Sequence, residues 1–212
     1  MTGKESLPKS AMFSWLVIFL AVFVWSAIQP EDYFTWALEV APAVAGLLLL
    51  GLTYRQFRFT ALSYWLILIH TVILMVGGHY TYAEVPLFNW LRDTLELGRN
   101  HYDKVGHFAQ GFIPAILARE ILLRRSPLRP GKWLFFLVVC VCLAISAFYE
   151  LIEWWVAELS GTDATAFLGT QGYVWDTQSD MAMALLGALL ALLLLSRWHD
   201  RQLSAFRQSQ SG

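Results

Sequence analysis

The chain has 212 residues, of which 57% are hydrophobic and only 15% are charged, and its formal net charge is −1. A soluble domain has about 45–50% apolar and about 25% charged residues, and one of this length could not hide so much apolar surface from water. Because the charge is near neutral and no basic face is evident, the composition argues against a nucleic-acid-binding protein. We therefore expect one membrane-embedded domain whose partners are membrane lipids.

Six stretches are long and apolar enough to cross a membrane, since a spanning helix needs about 20 mostly apolar residues. We predict an all-α membrane protein, a six-transmembrane-helix bundle. Its spans are expected at 11–28, 33–52, 60–77, 104–123, 132–157 and 180–197. They form a single domain, 11–197, between an N-terminal tail, 1–10, and a C-terminal tail, 198–212. The fourth span carries His107, Gln110 and Arg119 and is the least hydrophobic, so we expect it to face other helices.

Lysine and arginine predict the orientation, because short cytoplasmic loops of membrane proteins carry an excess of them. With the N-terminus inside, all of the 15 lysines and arginines except Arg92, Arg99 and Lys104 fall on one face. We therefore predict a bacterial inner-membrane protein with both termini in the cytoplasm.

Two outer connections are long, at about 78–103 and 158–179. The first predicts an interfacial helix that begins at Pro86 and places Leu87 and Trp90 on an apolar side. The second is rich in glycine, threonine and aromatic residues and shows no clear periodicity. Long loops of this kind commonly carry function or cap a cavity.

Ionisable side chains from separate spans converge at the outer end of the predicted bundle. Asp103 and His107 lie four residues apart at the start of the fourth span, so they share a helix face. Glu150 lies near the outer end of the fifth span, and two aspartates lie where the sixth begins. The predicted site residues, as catalytic candidates, are Asp103, His107, Glu150, Asp176 and Asp180, with Glu153 and His101 in secondary positions.

Clustered carboxylates near hydrocarbon repel one another unless something compensates their charge. The compensation is a divalent cation, a histidinium, bound protons, or Lys104 and Arg99. The candidate ligands for magnesium, manganese or zinc are Asp103, His107, Glu150 and Asp180. A carboxylate beside His107 is equally suited to general acid–base chemistry.

Each residue taken alone also has a structural interpretation. Asp103 and Asp180 are typical of acids favoured by the dipole at a helix N-terminus. Glu153 and Asp176 are typical of solvated interfacial residues. His70, in the middle of the third span, is typical of a hydrogen-bonded packing residue.

Three segments, NHYDKVGHF at 100–108, FYELIEWW at 148–155 and GTQGYVWDTQSD at 169–180, carry a family resemblance. Together with HYTY at 79–82 they resemble the YjdF family of bacterial inner-membrane proteins over nearly the whole chain. The resemblance implies a multi-pass inner-membrane protein whose family has no characterised biochemical function.

A looser likeness is to VanZ-like membrane proteins, through Asp103-Lys104-x-x-His107, Glu150 and Asp180. The chain departs from that pattern at Glu153, where a glutamine is usual, and it lacks the arginine that usually precedes the final aspartate.

Three functions fit the predicted pocket. The first is an enzyme acting on a lipid, an undecaprenyl-type carrier or another envelope amphiphile. The second is a proton- or cation-coupled transporter, and the third is a lipid-binding or assembly protein without turnover. A transporter should show polar residues along a path to the inner face, and apart from His70 and Gln110 the spans offer almost none. The sequence therefore favours an enzyme or a lipid-binding protein, and it indicates neither the substrate nor the oligomeric state.

Overall fold

The computed structural model describes residues 6–160 and 174–208, and the regular elements of these ranges are helices. In chain order the helices are α1 (Lys9–Ser26), α2 (Tyr33–Thr53), α3 (Ala61–His79), α4 (Pro86–Thr94), α5 (Tyr102–Arg125), α6 (Lys132–Ser160) and α7 (Asp176–Gln208).

Five of these helices, α1, α2, α3, α6 and α7, are long and apolar enough to cross a membrane. Helix α5 coincides with the predicted fourth span, and its 24 residues give about 36 Å of helix, which is sufficient length. It is too polar to qualify by composition, and it packs against α3, α6 and, most extensively, α7. The expectation that it faces other helices is therefore met, whereas the six-span count stays a prediction.

Helix α7 extends well beyond the span predicted at 180–197. It begins at Asp176 and continues to Gln208. The extension past the apolar stretch is explained by burial, because His199 and Leu203 are packed inside the bundle. Part of the predicted C-terminal tail is therefore helical.

The two long connections differ in how much of them the structure describes. The first contains α4, which has proline in its first turn, where the missing N–H costs no helical hydrogen bond. Leu87 and Trp90 on this helix are exposed, as expected of an interfacial helix. Most of the second, 161–173, lies outside the described residues.

Small residues bring α5 and α7 into close contact. A Cβ atom added to Gly111 would overlap the carbonyl oxygen of Ala184, and one added to Gly187 would overlap that of Phe108. Ala188 is fully buried on the same side of α7. Glycine and alanine at such positions allow membrane helices to approach backbone to backbone. This contact holds the polar residues of α5 and α7 at fixed positions relative to one another.

The other half of the bundle is more open. Helices α1 and α2 both pack on α3, and Trp15 of α1 donates a 2.8 Å hydrogen bond to the carbonyl of Tyr64. Helix α2 reaches α6 through the hydroxyl of Tyr149, which donates to Glu39 at 3.2 Å. Helices α2 and α5 therefore leave two openings between them. One is a cavity that contains Glu39 and His107, and the other is a groove that contains Leu49 and Leu117.

Candidate functional site

The first turn of α5 brings Asp103 and His107 together. They are four residues apart, and Nε2 of His107 lies 3.3 Å from Oδ1 of Asp103. The start of the helix is fixed by Asn100, whose side-chain oxygen accepts from the amide of Tyr102 at 3.0 Å and whose amide donates to the carbonyl of Val85. Both members of the pair are thus positioned by a defined helix start.

Acidic and amide side chains surround the ring of His107. Its Nδ1 lies 3.2 Å from Oε1 of Gln110 and 3.7 Å from Oε1 of Glu150. Its Nε2 lies 3.8 Å from Oδ1 of Asp180 in addition to Asp103. Both ring nitrogens therefore face acceptors, an arrangement that a doubly protonated ring satisfies.

Glu150 is the least satisfied member of this group. It is only 8% exposed, so it faces the bundle and not the lipid. Its Oε1 atom is buried and accepts no hydrogen bond within the described part of the chain. Buried carboxylate oxygens are normally paired, because an unpaired one loses its hydration without replacement.

The two aspartates at the start of α7, Asp176 and Asp180, form ion pairs with cations. Nζ of Lys104 lies 2.7 Å from Oδ1 of Asp176 and 2.6 Å from Oδ1 of Asp180. Arg99 donates from two nitrogens to the two oxygens of Asp176, the bidentate geometry that guanidinium favours. This hydrogen bonding raises the pKa of Arg99, so the pair stays charged. Lys104 and Arg99 thus tie the start of α5 to the start of α7.

A cavity of about 300 Å³ lies beside this group, between α2, α3, α5 and α6. Its size is at the lower end of the range for small-ligand sites. The titratable and polar side chains that line it are Glu39, His70, Tyr82, Asp103, His107, Gln110, Tyr149 and Glu153. The ring of Tyr82 fits against α3 and α5 because Gly77 and Gly106 have no side chains there. The walls of the cavity also contain Pro42 and Pro114, which interrupt the backbone hydrogen bonding of α2 and α5.

The predicted site residues divide into four groups. Asp103, His107 and Glu153 line the cavity, whereas Glu150 and Asp180 contact His107 without lining it. Asp176 is engaged by Arg99 and Lys104. His101 lies at the N-cap of α5, where its side chain forms no capping hydrogen bond.

Five titratable or polar cavity residues were not among the predicted site residues, namely Glu39, His70, Tyr82, Gln110 and Tyr149. Glu39 is buried within an apolar span, which was a usable signal, and Tyr149 adjoins Glu150. Tyr82 carried no such signal, since its place depends on a turn in which its own φ is 57°. His70 lines the cavity and the adjoining groove, a position that its interpretation as a packing residue did not include.

The acids could hold a divalent cation in two arrangements. Asp103, His107 and Asp180, or His107, Glu150 and Glu153, each offer three ligand atoms within 4.8 Å of one another. Oxygen and nitrogen ligands at about 2.0–2.6 Å from one ion fit such spacings. In the first set, Asp180 already forms an ion pair with the ammonium of Lys104, which takes the place of a metal cation. The second set contains the oxygen of Glu150 that accepts no hydrogen bond from the described residues, so it is the better fit.

A second buried polar cluster lies at the opposite end of α5 and was missed in the sequence. The carboxylate of Glu120 is fully buried and accepts from the amide and hydroxyl of Thr60, from Ser63 and from Arg124. Its Oε2 also lies 3.2 Å from Nε2 of His199. The cluster joins the start of α3 to α5 and α7. The signal was present, because Glu120 follows Arg119 inside a predicted span.

Comparison with known proteins places the chain among membrane proteins. The family described as predicted membrane protein, DUF2238, matches residues 11–201. The inner membrane protein YjdF of Escherichia coli (strain K12) is 52% identical over 185 residues, which cover 87% of this chain and 88% of that protein. No solved structure matches the chain. The resemblance to the YjdF family is confirmed, and the likeness to VanZ-like proteins stays a prediction.

Proposed function

The chain belongs to the DUF2238 family of predicted membrane proteins, and from that premise we propose that its buried acidic site performs acid–base chemistry on the head group of a membrane amphiphile. The chain is then a multi-pass inner-membrane protein, like its Escherichia coli relative, with the acidic site at the periplasmic side. The observation that carries the proposal is the placement of the Asp103–His107 pair in the wall of the cavity.

His107 is the acid–base residue of this proposal, and Asp103 orients its ring. In this proposal a substrate oxygen binds where the side-chain oxygen of Gln110 lies, because that oxygen is 3.2 Å from Nδ1 of the histidine and the residue lines the cavity. A substrate oxygen that replaces it lies within the distance needed for proton transfer. Glu150, whose Oε1 lies 3.7 Å from the same nitrogen, then stabilises the charge of the ring as its proton content changes.

The surroundings of the cavity support an amphiphilic substrate. The cavity shares Pro42, His70 and Leu74 with a larger apolar groove, so a head group at His107 has an apolar continuation. On α5, the residues between Gln110 and Arg119 include the fully buried Ala115 and Ile116. This apolar segment separates the two polar clusters and disfavours the transport alternative, which requires a continuous polar route.

The test is product formation from lipids. The purified protein is incubated with a polar lipid extract of Escherichia coli, and products are identified by liquid chromatography and mass spectrometry. We expect His107→Gln to lower the rate about 100-fold or more, because a positioned acid–base residue contributes about 10²–10⁴. Asp93→Asn is the control, because Asp93 is exposed and pairs with Arg92 far from the cavity.

Two outcomes would contradict the acid–base proposal. Lipid that binds in the cavity but is released unchanged by the parent protein would identify a lipid-binding protein. Proton or cation flux into proteoliposomes that requires His107, without any lipid product, would identify a transporter.

A further inference from the structure

The groove that adjoins the cavity is a separate feature with its own character. Its volume is about 470 Å³, and its walls come from α2, α3 and α5. Leu49, Leu50, Ile67, Leu117 and Ile121 supply much of the lining. Helix α2 packs mainly on α3, so the groove is not closed by contact between α2 and α5.

The dimensions of the groove fit one hydrocarbon chain. Along α2 it runs from Pro42 to Thr53, a rise of about 16 Å, which is about half of the 30 Å hydrocarbon core of a bilayer. The length of the groove therefore corresponds to one leaflet, the depth that one acyl chain spans.

The end of the groove remote from the acidic site is positively charged. Arg125 lines this end and donates a 2.9 Å hydrogen bond to the carbonyl of Gln56. The guanidinium of Arg124 lies 4.0 Å from the centroid of the Phe57 ring, and that of Arg58 lies 4.7 Å from the Tyr54 ring. Arginine binds phosphate oxygens in a bidentate manner and is held in place by such aromatic contacts.

We propose that the groove binds an anionic phospholipid of the arginine-rich leaflet, with its phosphate on Arg125 and one acyl chain between α2 and α5. The charge at the groove end selects a lipid with net negative charge, and the apolar lining selects its chain. The phosphate position lies at the end of the groove remote from His107, whereas the other end borders the cavity through Pro42, His70 and Leu74. The proposal concerns lipid binding alone, so it can fail or hold whatever the outcome of the acid–base test.

Native mass spectrometry of the delipidated protein, titrated with phosphatidylglycerol or phosphatidylcholine, tests the site. We expect one phosphatidylglycerol to bind about tenfold or more tightly than phosphatidylcholine, a difference of about 1.4 kcal/mol. Gly46→Phe should lower the affinity for both lipids about tenfold or more by filling the groove. A Cβ atom added at Gly46 meets nothing within 4 Å and the groove has room for the ring, so this variant should fold normally.

Two further variants separate the acyl chain from the head group. Gly51→Phe is the matched control, because Gly51 lies on the same helix with equally open surroundings but does not line the groove. It should bind as the parent does. Arg125→Gln should keep chain binding and lose the preference for phosphatidylglycerol. Equal affinities of the Gly46→Phe and Gly51→Phe variants, or a parent that does not discriminate between the two lipids, would overturn the proposal.

Discussion

Two buried polar clusters occupy opposite ends of the same pair of helices, and they are built differently. At one end of α5, Glu120 is surrounded by donors from α3, α5 and α7, and both of its oxygens are paired. At the other end, Glu150 has a buried oxygen that accepts no hydrogen bond from the described residues, and His107 borders a cavity. The two clusters therefore contain similar residue types, but they differ in how completely their buried polar atoms are hydrogen-bonded.

The difference indicates different roles. A buried polar network that is fully satisfied stabilises one arrangement of the helices, and removing a partner leaves an uncompensated group. At the acidic end, the described carboxylates outnumber Arg99, Lys104 and His107, and a cavity gives access to some of them. An arrangement of this kind costs stability and is typical of functional sites.

Reporter fusions test which cluster lies on which side of the membrane, and each fusion reports either one side or the other. Reporter fusions after Arg55, after Arg125 and at the C-terminus should report cytoplasm, because these positions follow the lysine- and arginine-rich face. Fusions near Glu96 and at position 166 should report periplasm. A periplasmic C-terminus would contradict the six-span prediction, since it requires an odd number of spans.

Loss of a partner in the Glu120 cluster should have the largest effect on stability. Glu120→Ala leaves the buried His199 and the partly buried Arg124 without their shared carboxylate, and we expect a loss of about 3–5 kcal/mol in the free energy of unfolding. Denaturant titration in detergent measures it. Asp93→Ala, which removes an exposed ion pair, is the control and should cost about 0–1 kcal/mol. Equal stability of the two variants would show that the network is not structural.

Glu150→Gln should have the opposite effect, with little change in stability and a large loss of activity. We expect stability within about 1 kcal/mol of the parent, because the amide keeps the shape and removes a charge whose Oε1 accepts no hydrogen bond from the described residues. Lipid turnover should fall about 100-fold, since an amide cannot balance the charge of His107 as its proton moves. If melting falls strongly while turnover per folded molecule is unchanged, Glu150 belongs with Glu120 as a structural partner.

Much of the organisation could be predicted from the sequence because it depends on local properties. The apolar lengths placed the long helices, and the proline at position 86 marked the start of α4. The four-residue spacing of Asp103 and His107 placed them on one helix face. The alternation of direction between successive spans placed Glu150 and Asp180 at the same end as this pair.

The tertiary structure alone decided which of these residues share a cavity and which are engaged elsewhere. Arg99 donates hydrogen bonds to Asp176, which lies 77 residues away in the chain, and Tyr149 donates to Glu39, which lies 110 residues away. Such pairings depend on how far each helix is rotated about its axis, which hydropathy does not report because lipid and an apolar core demand similar side chains. The close contact at Gly111 fixes that rotation for α5 and α7, and it thereby decides which of their polar side chains face each other.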